Sequence, residues 1–299
     1  MKLNKLSIAD KQIFNKYLGF SRHELSAYSL QNIYIWRSLF DIYWALLEGK
    51  LCVFFKDNIG LFLYLPPLGG RITPRNIEEA FRIMDRFNRN REISRIENVE
   101  EGDAAFYRRM GYEVRDKYPE YLCRRSEQAE LRGNRFKSKR AVFNYFIKHY
   151  EFDYLAFSLK YGPVCVKLYN QWMCMRKVKY TDPVYRGMLG DGRTCLELLL
   201  DDYRELDFSG RVVKVGGLIK AFTFGFKLSQ DTFCILYEIT DLSIKGLAQF
   251  IFRRFCAELK NYKYINIMDD SGLDNLKRVK QSYHPAKLIP AYIAKRRNE

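Results

Sequence analysis

Two hydrophobic periods alternate along the 299-residue chain. A period near 3.6 residues predicts a first helix after the N-cap candidate Ser7 and a second over 28–36. The pattern then alternates over 43–65, and two Gly-containing breaks predict a meander of three antiparallel strands. Thr73-Pro74 predicts the next helix, since Thr is a favoured N-cap and Pro a favoured first residue. The rest of this series is a strand at 92–97, a helix at 103–110, and strands at 112–117 and 120–124.

From residue 152 the same order of elements returns. The predicted elements are a strand at 152–158, helices at 163–178 and 183–203, strands at 211–215, 218–226 and 232–240, a helix at 243–260, a strand at 264–268, a helix at 272–281 and a strand at 286–294. At an offset of 169 residues, growing to 171, similar residues coincide: Phe81 with Phe250, Ile96 with Ile265, Glu100-Glu101 with Asp269-Asp270, and Tyr121 with Tyr292. This register predicts a tandem duplication.

A basic segment separates the two series. Within 132–140 there are five cations and no acid: Arg132, Arg135, Lys137, Lys139 and Arg140. We therefore expect an N-terminal domain over 1–131, a basic linker helix over 132–151 and a C-terminal domain over 152–299. The fold class is α/β (α+β), with a mixed, mostly antiparallel sheet flanked by helices in each domain.

Composition and charge narrow the function classes. With 47% hydrophobic and 29% charged residues the chain is typical of a soluble globular protein, which excludes disordered and fibrous classes. The formal net charge of +16 is shared by both halves and favours polyanionic partners such as RNA or anionic lipid. The basic segment is the best candidate for such a surface, with side chains expected to be solvated. The alternative is an ordinary solvated helix face.

Location and cofactor content are predicted from what the pattern lacks. No apolar run approaches the ~18 residues that a spanning helix needs, and no signal peptide is apparent, which favours a cytoplasmic protein, peripheral at most to the inner membrane surface. The seven Cys residues include no C-x-x-C pair and lie among apolar neighbours, so we expect reduced core thiols, no metal site and no cofactor.

The repeated unit resembles the GNAT acyltransferase fold, and the second half is the better match. The stretch Lys245-Gly246-x-Ala248 is similar to the GNAT phosphate loop, with one small residue of the usual pattern missing. Over essentially the whole chain, the sequence also resembles the family of the phosphatidylglycerol lysyltransferase C-terminal domain. The matching stretches are Asn32–Arg37, Lys137-x-Lys139-Arg140-x-x-x-Asn144-x-Phe146, Ile265-Asn266-x-x-Asp269-Asp270-x-Gly272-Leu273 and Lys280-x-Ser282-Tyr283-His284-Pro285.

This resemblance implies a tandem GNAT-like transferase that moves an aminoacyl group from a charged tRNA to the hydroxyl of phosphatidylglycerol. It also implies a donor site in the second half, at Ser243, Lys245, Gly246 and Leu247. The first half has Leu68–Arg71 where the second has its Lys-Gly loop, so we expect the first donor site to be degenerate. Many members carry a membrane-embedded N-terminal translocase, for which this sequence has no counterpart.

The chemistry of such a transfer needs a base, a proton donor and correct positioning, but no covalent nucleophile. Glu238, near the end of an apolar strand, is the candidate base, because partial desolvation would raise its pKa towards neutrality. Tyr283 is the candidate that returns a proton to the leaving group, and His284 is a candidate relay. The alternatives are a solvent-facing glutamate, a core tyrosine and a turn histidine.

The pair Asp269-Asp270 follows a predicted strand. It is a candidate for recognition of the amino group of an aminoacyl donor, and helix capping is the alternative. The leading function is therefore an aminoacyl or acyl transferase, with tRNA and anionic lipid as expected partners. Two alternatives stay open: an acyl-CoA-dependent N-acyltransferase, and a non-catalytic module that binds RNA or anionic membrane.

Overall fold

The chain divides into two compact units whose sequence segments interleave. The computed structural model describes residues 3–297. Unit 1 contains the described residues up to Glu120 together with those from Ile289 onward, and unit 2 contains Tyr121–Leu288. This division differs from the expected boundaries at 131 and 152: the linker region belongs to unit 2, and the last residues of the chain belong to unit 1.

Most elements of the first half lie where the periodicity predicts them. They are β1 (Asn4–Lys5), α1 (Lys11–Leu18), α2 (Leu30–Tyr34), β2 (Asp41–Leu47), β3 (Lys50–Lys56), β4 (Leu61–Leu63), α3 (Pro74–Phe87), β5 (Arg95–Glu100), α4 (Glu101–Arg109) and β6 (Glu113–Arg124). Thr73 and Asn76 form the capping box that starts α3, and Ile77, Phe81 and Met84 are its buried stripe.

The prediction of two strands around Pro119 is wrong, because β6 is continuous from Glu113 to Arg124. Proline removes a backbone donor, but its fixed φ is compatible with an extended chain, so it does not have to end a strand.

The second half repeats the same order after two helices that join the series. It contains α5 (Arg125–Glu130), α6 (Lys137–His149), β7 (Phe152–Ala156), α7 (Gly162–Lys179), α8 (Pro183–Asp201), β8 (Ser209–Val215), β9 (Leu218–Lys227), β10 (Thr232–Thr240), α9 (Leu247–Glu258), β11 (Tyr264–Asn266), α10 (Asp274–Gln281) and β12 (Lys287–Lys295). Helix α5 was not predicted, and α9 begins at Leu247, four residues later than the predicted start at Ser243.

Each unit has its own six-stranded run of a mixed, mostly antiparallel sheet. The order is β1-β2-β3-β4-β5-β12 in unit 1 and β6-β11-β10-β9-β8-β7 in unit 2, which contains β6 from Tyr121 onward. The parallel neighbours are β4 with β5 and β10 with β11, through the pairs Leu63 with Ile96 and Phe233 with Ile265. These two pairs correspond at the predicted offset, so the structure confirms a tandem GNAT-like architecture.

The last strand of each half pairs outside its own series. Val99 of β5 lies opposite Tyr292 of β12, and Ile265 of β11 lies opposite Cys123 of β6. The two halves have therefore exchanged their closing strands, which explains why unit 1 includes residues from the end of the chain.

The core of unit 2 is built largely from aromatic rings, as the composition predicts. Phe146 of α6 and Phe250 of α9 are fully buried, with ring centroids 4.7 Å apart, and Phe152 lies 4.5 Å from Phe250. Such pairs add about 0.5–1.5 kcal/mol each beyond the area that they bury. They fix α6 against α9, and α6 carries Lys139 of the candidate site.

Candidate transferase site in unit 2

Strand β10 separates from its parallel neighbour β11 after Cys234. The parallel pairing with β11 covers Thr232 to Cys234, while β10 continues to Thr240. Its antiparallel register with β9 shifts between Ile235 and Tyr237, which marks a bulge. A bulge re-aims the following side chains, and Glu238 is the first titratable carboxylate after it.

Glu238 lies in an enclosed environment rather than at a solvated strand end. The residue as a whole is half-buried, but its Oε2 is buried and has no hydrogen-bond partner within residues 3–297. Burial raises the pKa of Glu238 to about 8, against the opposing effect of the nearby Lys139 ammonium. A carboxyl with this pKa is suited to accept a proton near neutral pH.

Tyr283 lies in the same region and is buried. Its ring contacts Phe252 at a centroid distance of 4.4 Å, and its backbone carbonyl accepts a hydrogen bond of 2.8 Å from Gln128 of α5. Burial, followed by the charge of Glu238, raises the pKa of Tyr283 well above its ordinary value. The structure thus brings the predicted base and the predicted proton donor into electrostatic contact.

Lys139 is the residue whose placement sequence reasoning missed. We expected a solvated member of the basic cluster, but it is half-buried, with Nζ 2.9 Å from Ser282 Oγ and 3.6 Å from the Tyr283 ring centroid. Burial lowers the pKa of Lys139 to about 8, and Glu238 opposes this shift. The nearby thiols of Cys123 and Cys256 complete this group of titratable side chains.

Of the other members of the basic cluster, three are exposed and one, Arg140, binds backbone carbonyl groups. Arg132, Arg135 and Lys137 are exposed, with Arg132 paired to Glu130 and Arg135 to Glu127. Arg140 instead donates to the carbonyl oxygens of Leu131 and Gly133, and so holds the turn before α6.

The predicted donor loop is packed against α6. The Lys245 Nζ lies 4.5 Å from the Tyr145 ring centroid, and a Cβ placed on Gly246 would come within 2.2 Å of the Val142 carbonyl oxygen. Gly246 has a φ of 87° and precedes the buried first helical residue, Leu247.

Ser243 lies outside the helix and holds the preceding turn. Its backbone nitrogen and Oγ both donate to Asp241 Oδ1, at 3.0 and 2.6 Å, and Asp241 also pairs with Lys220. Asp241 and Ser243 line a cavity of about 650 Å³ that also contains Lys167 and Trp172 of α7.

The acidic loop after β11 is held by its own hydrogen bonds. Asp269 Oδ1 accepts from the backbone nitrogen and Oγ of Ser271. Asp270 is buried, and it accepts from Tyr121 Oη at 2.5 Å and from the Gly272 nitrogen at 2.9 Å. His284 is a turn residue with a φ of 52°, and its Nε2 lies 3.0 Å from the Arg135 carbonyl oxygen.

Comparison with known proteins places these features in a family. The model of the phosphatidylglycerol lysyltransferase C-terminal domain matches residues 20–295, and the chain belongs to that family. Family and fold together support an aminoacyl or acyl transferase of this type. No curated protein sequence matches the chain.

Solved structures show the same fold at low sequence identity. A conserved protein of unknown function from Bacteroides thetaiotaomicron is 23% identical, with a TM-score of 0.88 over 99% of this chain and 100% of that one. L-PGS from Bacillus licheniformis is 16% identical, with a TM-score of 0.70 over 99% and 94%. A tandem GNAT protein from the clavulanic acid biosynthesis pathway is 7% identical, with a TM-score of 0.52 over 100% and 99%.

The remaining sequence expectations concern thiols and membrane spans. All seven cysteines are free thiols and six are buried, but Cys174 is exposed, so the expectation of seven core thiols is wrong at that position. Across residues 3–297, none of the helices is long and apolar enough to cross a bilayer.

Proposed function

We propose that the chain transfers an aminoacyl group from aminoacyl-tRNA to the hydroxyl of an acceptor such as phosphatidylglycerol. Membership of the phosphatidylglycerol lysyltransferase family supports this reaction class. The observation that carries the proposal is the enclosed Glu238 Oε2, which has no hydrogen-bond partner among the described residues. A buried carboxyl oxygen without a partner is costly to a fold, and its retention is explained if a substrate hydroxyl donates to it.

The reaction needs one proton removed and one returned. Glu238 accepts the proton of the acceptor hydroxyl while the acceptor oxygen forms a bond to the ester carbonyl carbon. The carbon–oxygen bond to the tRNA ribose then breaks, and the departing ribose oxygen takes a proton from Tyr283. Its raised pKa keeps the Tyr283 phenol protonated until the leaving group forms, and proton transfer from Glu238 restores the phenol afterwards.

Lys139 has a positioning role in this scheme. An ammonium over the Tyr283 ring stabilises developing phenolate charge and holds the ring, while its attraction for Glu238 favours the ionised base. The group acts through Glu238 and Tyr283 rather than on the reacting atoms.

Donor and acceptor recognition are assigned to the neighbouring features. We assign the ammonium of the aminoacyl group to Asp269, and to Asp270 the support of that loop. Ser243, Lys245, Gly246 and Leu247 border the donor, and the exposed cations Arg132, Arg135 and Lys137 attract the phosphates of tRNA or anionic lipid. The Val142 carbonyl beside Gly246 disfavours a pyrophosphate there, which supports a tRNA donor over acyl-CoA.

The test offers the full chain both kinds of donor. Labelled aminoacyl-tRNAs and acyl-CoAs are incubated with phosphatidylglycerol vesicles, and discharged donor and labelled lipid are measured for wild type, Glu238→Gln and the matched control Glu151→Gln. We expect aminoacyl-tRNA discharge with lipid labelling that only Glu238→Gln abolishes. Discharge of acyl-CoA alone would instead establish the N-acyltransferase alternative, and tRNA binding without discharge of any donor would establish a binding module.

A further inference from the structure

Unit 1 contains a cavity of about 840 Å³ that the proposed reaction does not use. Its walls are formed by the loop before α2, the Gly69-Gly70 turn after β4 and the start of α4. The first half was expected to have a degenerate site, yet this cavity brings together titratable side chains that are far apart in sequence.

A histidine–carboxylate pair lies in the wall of this cavity. His23 Nδ1 is 2.8 Å from Glu100 Oε2, and the other oxygen of Glu100 accepts a hydrogen bond from the Glu24 backbone nitrogen. The ring of His23 stacks on buried Tyr28, with centroids 4.1 Å apart. The imidazole is therefore fixed in orientation, and in its neutral form, with Nδ1 donating to Glu100, its Nε2 is left as an acceptor for a ligand.

Asp103 supplies a second acceptor beside this pair. It lies in the first turn of α4, where a solvated acid would be ordinary, but it is half-buried and lines the cavity. Burial and the charge of Glu100 raise the pKa of Asp103, whereas the positive charge of a protonated His23 lowers it. A cation bound here would stabilise the Asp103 carboxylate, which the fold leaves only partly compensated.

Exposed arginines line the same cavity. Arg71 follows the Gly69-Gly70 turn, in which both glycines have positive φ, and Arg109 lies at the end of α4. Guanidinium groups bind phosphate in bidentate geometry. The lining thus combines neutral and anionic acceptors, which suit an ammonium, with exposed cations, which suit a phosphate.

We propose that the cavity of unit 1 is a second binding site, for a small phosphate-bearing primary amine. The ammonium donates to His23 Nε2 and to the Asp103 carboxylate, Glu100 holds the imidazole in the accepting tautomer, and Arg71 and Arg109 bind the phosphate. The site does not depend on Glu238 or on the transfer reaction.

The test is isothermal titration of the full chain with three probes: phosphoethanolamine, ethanolamine and methyl phosphate. We expect phosphoethanolamine to bind at least tenfold more tightly than either probe with one charged group. Asp103→Asn and His23→Phe, which keeps the ring stack on Tyr28, are each expected to weaken it ten- to a hundredfold. Arg71→Gln with Arg109→Gln is expected to remove the advantage over ethanolamine. Equal binding of all three probes, or unchanged affinity in the Asp103 and His23 variants, would overturn the proposal.

Two controls separate this site from the proposed function. Asp269→Asn, at the position that corresponds to Glu100 in the repeat, and Glu238→Gln are both expected to bind phosphoethanolamine as wild type does. Vesicles with and without phosphatidylethanolamine distinguish a lipid headgroup from a free phosphoamine: if the source is a lipid, only vesicles with this headgroup retain the chain, and Asp103→Asn releases it. Imidazole ¹⁵N shifts of His23 on titration give a readout that a merely structural role would not move.

Discussion

The two acidic pairs that correspond in the repeat, Glu100-Glu101 and Asp269-Asp270, have different partners. Glu100 is the last residue of β5, whereas Asp269 lies in the loop after β11, at the predicted offset of 169 residues. The longer Glu100 side chain reaches His23, 77 residues away, whereas Asp269 accepts hydrogen bonds from Ser271 within its own loop. One methylene group thus separates a carboxylate that orients a cavity residue from one that holds a turn, since Asp readily bonds backbone groups two residues on.

The largest expected effect tests whether unit 2 carries the reaction. Glu238→Gln keeps the shape but removes the base, so we expect kcat to fall by about 10² to 10⁴. Donor binding by filter retention should be unchanged, and Glu151→Gln, an exposed control, should behave as wild type. Loss of turnover in His23→Phe together with full activity in Glu238→Gln would show that the catalytic residues lie in unit 1 instead.

The pH dependence of stability probes the same carboxyl without any substrate. The folded-state pKa of Glu238 is about 8, above its ordinary value of 4.5, so the unfolded chain releases this proton first. The free energy of unfolding is then expected to fall as pH rises from about 4.5 to about 8, with a slope of at most about 1.4 kcal/mol per pH unit from this group. Urea midpoints against pH should lose this contribution in Glu238→Gln. Identical profiles would mean that the carboxyl is solvated.

In the acidic loop of unit 2, Asp270 is expected to contribute more to stability than the neighbouring Asp269. Asp270→Ala leaves the Tyr121 hydroxyl and the Gly272 nitrogen without their acceptor, which is expected to lower the free energy of unfolding by about 2–3 kcal/mol. Asp269 is only half-buried, so Asp269→Ala should lose about 1 kcal/mol or less. Equal losses in urea denaturation would show that the two acids are equivalent.

The starts of α3 and α9 are a further contrast between the halves. Gly246→Ala is expected to destabilise the protein by roughly 1–3 kcal/mol, because its φ is positive and the new Cβ would meet the Val142 oxygen. Thr73→Ala removes only the N-cap of α3, at about 1 kcal/mol. Thermal denaturation of both variants measures the difference, and a Gly246→Ala variant as stable as wild type would contradict the close packing of α6.

The smallest expected effect is on the salt dependence of tRNA binding. It distinguishes the exposed members of the basic cluster from Lys139. Arg132→Glu and Lys137→Glu are each expected to reduce the slope of log K against log salt for tRNA binding by roughly 0.7 to 0.9 if each side chain contacts one phosphate. Lys139→Gln should instead leave that slope unchanged and alter the pH profile of the reaction. A slope that falls equally for all three variants would show that Lys139 is solvated and contacts a phosphate, as Arg132 and Lys137 do.

Element order and the duplication were predictable because each depends on local periodicity, which is visible in one sequence. The capping box at Thr73, the meander over 43–65 and the position of Glu238 near the end of a strand are of this kind. The surroundings of Glu238 are not, because the burial of Lys139 depends on Ser282 and Tyr283, more than 140 residues further along the chain.

The cavity of unit 1 could not be predicted for the same physical reason. His23 and Glu100 are 77 residues apart, and neither lies in a motif that singles it out. The signal in the sequence is the alignment of Glu100-Glu101 with Asp269-Asp270, which marks Glu100 but not its partner His23.

The exchanged closing strands give the protein an order of assembly during synthesis. Unit 1 lacks the partner of Val99 until Tyr292, 193 residues later in the sequence, has left the ribosome. Until then the edge of β5 exposes unpaired backbone groups, and such edges favour association with other chains. A fragment cut after residue 151, at the boundary that the sequence predicts, would keep β6 without its partner β11 and β5 without its partner β12. A duplication ordinarily yields two modules that fold independently. Here each half needs a strand from the other, and one of these pairings joins residues nearly 200 positions apart.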